Sequence, residues 1–233
     1  MDQIINPKPV SAPVQQKPFT RDNLHKEATK KLSRINHEFV HGMDFLKTYP
    51  KSVSFFGSSR LSEDTPAYKT ARSLASKIVK ELGYAVVTGG GPGIMEAGSR
   101  GAHEAGGRSL GLTIRLPMEQ QSNPYLTDQI DFYYFFSRKV ILSFSAEAYL
   151  FFPGGYGTLD EFFEIVTLIQ TNKIERVPII LVGVDFWKPV DALIRESLLG
   201  KYKTINSKDI DLYAITDDEE KVIELIKNLP SRS

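Results

Sequence analysis

Cysteine is absent from this sequence, and with it go disulfides, thiolate metal sites and cysteine nucleophiles. An excess of charge of either sign is absent too. The formal net charge is +1, which gives no sign of a surface built for nucleic acid or an anionic membrane. No apolar run approaches the roughly 20 residues that cross a bilayer. Met1-Asp2-Gln3-Ile4-Ile5-Asn6-Pro7 lacks both a basic start and an apolar core, so no signal peptide is expected, and the chain reads as cytoplasmic. What is present is ordinary for a globular protein: 233 residues, 41% hydrophobic and 24% charged, enough for one sizeable α/β domain.

Residues 1–20 hold Pro7, Pro9, Pro13 and Pro18 among Gln, Lys and Ser, and are expected to be disordered. From Arg21 an apolar stripe at spacings of three and four, Leu24 through Leu32, Phe39 and Met43 to Leu46, predicts a helical arm over 21–50, ended by Pro50. Residues 51–229 then alternate between apolar runs and amphipathic segments. Strands are predicted at Val53–Phe56, Ala85–Thr88, Ser109–Ile114, Ile130–Phe136, Ala148–Phe152, Val177–Val182 and Ala214-Ile215. Helices are predicted at Tyr68–Leu82, from about Ile94 to Gly106, from Ser137, from Leu159 to Gln170, at Val190–Leu199 and at Asp218–Leu229, the last with Asp217 as N-cap. Strands of nearly continuous apolar residues alternating with helices mean a parallel sheet covered on both faces. The fold class is therefore α/β, a doubly wound, Rossmann-like parallel sheet in a single domain with an N-terminal helical arm.

In such sheets ligands bind beyond the carboxyl ends of the strands. Three of those ends carry unusual loops: Gly57–Arg60, Gly89–Glu96 and Pro153–Glu161. The third has three glycines in four positions at a helix start, where bare backbone N–H groups and the positive end of the helix dipole suit a phosphate. Glu161 lies where that phosphate should repel it, so its carboxylate is better suited to chemistry than to binding. A second reading makes Thr158 the N-cap and Glu161 its capping-box partner. The Gly89–Gly93 run misses the dinucleotide fingerprint: counted from Gly89 its last position is Ile94, and from Gly91 it is Glu96. Arg115 at the end of the third strand could face a 2′-phosphate, which keeps an NADP-dependent oxidoreductase open. A P-loop is excluded, because no Gly-Lys-Ser/Thr follows these glycines. Arg138 and Lys139 sit at a helix start, where cations oppose the dipole; that suggests a binding role, against the alternative of a solvated basic pair. Asp160 and Glu164 read as solvated or supporting groups, the four histidines as remote from the loops, and Tyr133–Phe136 as core.

Gly-Gly-Gly-Pro-Gly-Ile-Met-Glu-Ala at 89–97, Ser-Arg-Lys at 137–139 and Pro-Gly-Gly-Tyr-Gly-Thr-Leu-Asp-Glu at 153–161 together resemble the LOG ("Lonely guy") family. These are cytokinin-activating phosphoribohydrolases, related to nucleotide 5′-monophosphate nucleosidases and often labelled lysine decarboxylases. The resemblance spans about Val53 to Leu229. It implies hydrolysis of the N-glycosidic bond of a nucleoside 5′-monophosphate, AMP-like or a cytokinin riboside monophosphate, by a homodimer or larger homo-oligomer without metal or organic cofactor. It makes Arg138 and Glu161 the catalytic pair. Lys139, Gly155, Tyr156, Gly157, Thr158 and Thr167 match substrate contacts, Glu119 matches a family glutamate, and Ser58, Gly90 and Gly91 complete the expected binding set. The arm over 1–50 and the tail beyond Ala214 are similar to the longer bacterial branch. A non-catalytic nucleotide-binding or carrier protein would keep both glycine loops without needing Glu161.

Overall fold

The computed structural model describes residues 20–115 and 122–228. Apart from Thr20, the segment expected to be disordered lies outside that range, and so does Glu119. Residues 21–37 form the first part of helix α1 (Arg21–Lys47), and residues 38–228 hold its remainder together with the α/β unit. The arm ends before Pro50, as its sequence predicts. Within 38–47 its apolar positions divide: Phe39, Phe45 and Leu46 pack on the core, while Val40 and Met43 stay exposed.

Seven parallel strands form one sheet in the order β4-β3-β2-β1-β5-β6-β7. They are β1 (Ser52–Phe56), β2 (Ala85–Thr88), β3 (Ser109–Ile114), β4 (Asp128–Phe132), β5 (Ala148–Phe151), β6 (Ile179–Leu181) and β7 (Tyr213–Ile215). The helices that connect or follow them are α2 (Pro66–Lys77), α3 (Ile94–Glu104), α4 (Phe135–Ser143), α5 (Tyr156–Gln170), α6 (Val184–Ala192) and α7 (Glu219–Lys227). The α2 helix widens into a π-helical end, Ile78–Leu82, before left-handed Gly83 stops it. This is the doubly wound, Rossmann-like fold. The chain builds outward from β1 to β4, then returns to place β5 on the other side of β1. The switch point that opens a crevice therefore lies between β1 and β5.

Both sheet faces are apolar because alternate residues of the same strands feed opposite layers. Val53 and Phe55 of β1 meet Tyr68, Leu74, Ala97, Val222 and Ile226 from α2, α3 and α7. Phe56 instead meets Phe151, Phe162, Ile165 and Trp187 on the α4–α5–α6 side. Buried Trp187 donates its indole N–H to the carbonyls of Phe151 and Val182 at 3.1 and 3.2 Å. Helices α2 and α3 approach closely because Gly101 has no side chain: a Cβ there would lie 2.1 Å from the Arg72 carbonyl oxygen. Backbone cannot give way as a flexible side chain can. Gly101→Ala is expected to cost about 1–3 kcal/mol, read as a lowered urea midpoint; an unchanged midpoint would contradict the packing argument.

Four sequence-based expectations change. The strand predicted over Ile130–Phe136 ends at Phe132 and α4 begins at Phe135, leaving Tyr133, Phe135 and Phe136 about half exposed rather than in the core. Asp218, not Asp217, caps α7; Asp217 accepts from the N–H groups of Gly183 and Val184 at the start of α6. The helix predicted at Val190 already starts at Val184. Finally, α5 starts at Tyr156 with Gly155 as N-cap, so Thr158 is not the cap and Glu161 lies three positions beyond where the capping box would put it. That box does not form. Among the described residues no helix is long and apolar enough to cross a membrane.

Candidate active site

At the β1–β5 switch point a cavity of about 620 Å³ opens over the carboxyl ends of the strands. Its walls include Gly57–Arg60 after β1, Gly89 after β2, Met95 of α3, Arg138 and Lys139 of α4, and Gly155–Thr158 and Glu161 at the start of α5. Hydrogen bonds tie these loops to one another. The Ser58 N–H donates to the Pro153 carbonyl at 3.0 Å, and the Ile94 N–H donates to the Ser58 carbonyl at 3.0 Å. Gly93, at φ +71°, makes the second contact possible, since a Cβ there would lie 2.3 Å from the Ser58 oxygen.

The N-terminus of α5 is left without a side-chain cap, because its N-cap, Gly155, has none to offer. The N–H groups of the first turn therefore remain available at the cavity, with the positive end of the helix dipole behind them. Neither Gly155 nor Gly157 would meet a heavy atom within 4 Å if a Cβ were added, so both lie against open space. Gly154 differs. Its bare α carbon leaves room for the Thr158 hydroxyl, which a Cβ would approach to 2.1 Å. Tyr156 is 94% exposed at the rim.

Glu161 is buried at 8% exposure, and its Oε2 has no hydrogen-bond partner. Burial pushes its carboxyl up to about 7; Glu164 and Asp160 push the same way, while Lys139 and Arg138 oppose. Arg138 donates its Nε–H to the Leu112 carbonyl of β3 at 2.7 Å. Its guanidinium passes over Gly89, whose Cβ would lie 2.3 Å from Nη2. Burial lowers the affinity of this guanidinium for its proton, and Glu161 acts against that. Lys139 is tied differently, pairing with Asp160 at 2.7 Å and Glu164 at 3.1 Å. Burial would lower its pKa, but those two carboxylates outweigh burial and hold it above the usual lysine value. Asp160 and Glu164 are thus partners of Lys139 rather than simply solvated.

Of the residues expected in the site, Ser58, Arg138, Lys139, Gly155, Tyr156, Gly157, Thr158 and Glu161 line the cavity together. Gly90 and Gly91 do not. They are buried behind it, Gly90 at φ +74°, and their carbonyls accept from the backbone N–H and the side-chain amide of Asn123 at 2.8 and 3.1 Å. Their work is to hold the segment before β4. Thr167 also stands apart, exposed on α5 beside a separate shallow groove with Lys139 and Glu164, its hydroxyl bonded to the Phe163 carbonyl. Cavity residues not anticipated as contacts include Met95 and Phe135. Met95 lies within the Gly89–Glu96 loop and could have been found there. Phe135 was hidden by being read as part of a strand.

A family model described as possible lysine decarboxylase matches residues 95–226, more than half of the chain. No curated protein matches the sequence. Among solved structures, the X-ray structure titled TM1055 is similar at 26% identity, with 77% of this chain and 99% of that one covered, at a TM-score of 0.59. The molybdenum cofactor binding protein of the phototrophic bacterium Rippkaea orientalis is similar at 24% identity (76% and 95% covered, TM-score 0.55). The molybdenum cofactor carrier protein of Chlamydomonas reinhardtii is similar at 22% (76% and 96% covered, TM-score 0.54). Below 25% identity, these last two likenesses establish a shared fold and no more.

Proposed function

The chain belongs to the family described as possible lysine decarboxylase, the LOG family, and from that premise we propose that it hydrolyses the N-glycosidic bond of nucleoside 5′-monophosphates. The products are the free base and ribose 5-phosphate. One observation carries the reading: a buried carboxylate with an unpartnered oxygen, Glu161, shares a cavity with an uncapped helix N-terminus. An anion subsite and a carboxylate held apart by one and a half helical turns suit a ribosyl monophosphate, whose phosphate and C1′ lie at opposite ends of the sugar.

In this reaction the 5′-phosphate accepts from the N–H groups of Tyr156, Gly157 and Thr158, supported by the Thr158 hydroxyl. Cleavage leaves positive charge on C1′ and the ring oxygen, as in glycoside hydrolysis. Ionised Glu161 stabilises that charge and takes a proton from the attacking water as the C1′–N bond breaks and the C1′–O bond forms; that proton then passes to the departing base, directly or through solvent, and Glu161 is again ionised. A carboxyl near 7 matches a base working at neutral pH. Arg138 neutralises charge on the departing base or the phosphate. Gly155–Thr158 fix the sugar relative to Glu161, so positioning supplies part of the rate. Ser58 and Lys139 complete the walls, Lys139 by holding Asp160 and Glu164 away from the reacting carbon.

The test incubates the purified full-length chain with a panel of nucleoside 5′-monophosphates and follows free base by chromatography. Release of base with ribose 5-phosphate is expected. A nucleotide bound and returned intact would replace hydrolysis with carriage. The same preparation should yield no cadaverine from lysine with added pyridoxal phosphate. Imine formation needs an unprotonated amine, and among the described residues the only lysine lining the cavity, Lys139, is clamped as a cation by two carboxylates. Cadaverine above the rate without enzyme would overturn this.

A homo-oligomer, in the cytoplasm, is part of the same proposal. Phe162 and Ile169 of α5 lie in the chain's own core; only Phe163 reaches the surface, at 37% exposure. The exposed apolar residues instead gather about α4: Tyr133, Phe135, Phe136 and Phe144. Light scattering at micromolar concentration should give at least twice the 26.2 kDa of one chain, and a monomer alone would count against it.

A further inference from the structure

Glu38 is a buried carboxylate, 7% exposed, that the proposed reaction does not use. It lies on α1, outside the cavity. Its carboxylate accepts from the Tyr133 N–H at 2.7 Å, from the Tyr134 N–H at 3.4 Å and from the Ser137 hydroxyl. These donors are the turn after β4 and the first turn of α4. The N-cap residue of α4, Tyr134, supplies no side-chain cap. Glu38, 95 positions earlier in the chain than Tyr133, instead pins the entry to the helix, through the N–H groups just before its first turn and the Ser137 hydroxyl within it. One turn along α1, Gly42 allows an equally close approach: a Cβ there would lie 2.6 Å from Ile141 Cγ1 on α4. Glu38 and Gly42 thus fix α4 at both its first and second turns.

Helix α4 carries Arg138, directly after Ser137. The Arg138 N–H makes the first backbone bond of the helix, to the Tyr134 carbonyl, and at 3.3 Å it is long. A first turn without a cap frays, and here fraying would carry the Arg138 guanidinium off the Leu112 carbonyl and away from Gly89. A negative charge on the α4 N-terminus also opposes the unfavourable placement of two cations, Arg138 and Lys139, near that end of the dipole. The geometry points to Glu38 as a positioning residue: through the first turn of α4 it sets where the Arg138 guanidinium stands in the cavity. The Glu38–Gly42 stretch of α1 is therefore part of the site's machinery without lining the cavity. The structural part of this inference holds for any ligand, and only its kinetic consequence rests on the proposed hydrolysis.

The test uses the full chain and the Nε–H resonance of Arg138, with those of Arg72 and Arg195 as internal controls, both being held by carboxylates elsewhere. In Glu38→Ala, exchange of the Arg138 Nε–H should rise about tenfold or more while the two controls keep their parental rates. Glu38→Gln, which retains an acceptor for the Tyr133 N–H, should restore most of the protection. With AMP as substrate, kcat should fall by about tenfold in Glu38→Ala with KM changed less than threefold, and Glu38→Gln should recover it. Parental Arg138 exchange in Glu38→Ala overturns the inference. So does acceleration at all three arginines together, because that is loss of fold stability alone. Should Glu38→Ala fail to fold, Ser137→Ala removes one of the three donors and should accelerate Arg138 exchange selectively; unchanged exchange there overturns the inference equally. If the parent hydrolyses no nucleotide, the proposed reaction fails while the Nε–H measurement still decides the role of Glu38.

Discussion

Glu161→Gln is expected to lose turnover of AMP by roughly 10²-fold or more and, at neutral pH, to be more stable than the parent. The first effect follows from removing the negative charge that stabilises the sugar cation and accepts the water's proton. The second follows from the carboxyl standing near 7, against 4.5 when exposed. Below 4.5 the group is protonated in both folded and unfolded chains and contributes no difference. Between 4.5 and 7 the folded chain keeps a proton that the unfolded chain releases, so stability falls as pH rises through that window. Above 7 the full cost applies, at most about 3 kcal/mol. Glutamine carries no charge and escapes it, so the stability gain should appear between pH 5 and 8 in urea titrations and vanish near pH 4. AMP should still bind, because its phosphate loses a repulsive neighbour. A residue kept for stability would show the reverse pattern: near-parental turnover and a lower midpoint. Parental turnover would sink the catalytic assignment whatever the midpoint did.

The parallel sheet was legible because β1, β2 and β5 are short runs buried at every position, a pattern that a half-exposed sheet does not produce. The glycine loops were legible as loops, since Gly93 and Gly154 make close approaches that a Cβ would block. The uses of individual glycines were not. Gly90 and Gly91 look in sequence like the glycines of α5, yet they serve Asn123, a partner beyond an intervening strand. The Thr158–Glu161 spacing imitates a capping box, and what defeats it is Gly155 taking the cap position one turn earlier. Tyr133–Phe136 continue the apolar run of β4, so nothing local ends the strand. What does is Glu38, which gathers the N–H groups of Tyr133 and Tyr134 and lets α4 start. Partners so far apart in the chain leave no mark in its periodicity. The same holds for Lys139, whose engagement by Asp160 and Glu164 depends on how α4 and α5 face each other.

Arg138→Met should slow hydrolysis of AMP by about 10²-fold or more, the usual consequence of removing one preorganised charge-stabilising donor. It should also move the pH profile. Turnover needs Glu161 ionised, so in the parent the rate should rise with pH through about 7. Arg138 and Lys139 are the two cations that hold the Glu161 carboxyl down against burial. Losing the guanidinium removes part of that support, so the midpoint of the rise should shift to higher pH in Arg138→Met. Arg138→Lys should resemble the methionine variant in rate more than it resembles the parent. An ammonium cannot reproduce the planar fork that bonds the Leu112 carbonyl through Nε while leaving further donors for the substrate. It should nevertheless leave the midpoint near its parental position, because a positive charge remains beside Glu161. Rate and midpoint thus report separate duties of one side chain, donor geometry and field. A methionine variant that lost rate but kept the parental midpoint would leave Arg138 as a substrate contact and remove it as the group that tunes Glu161.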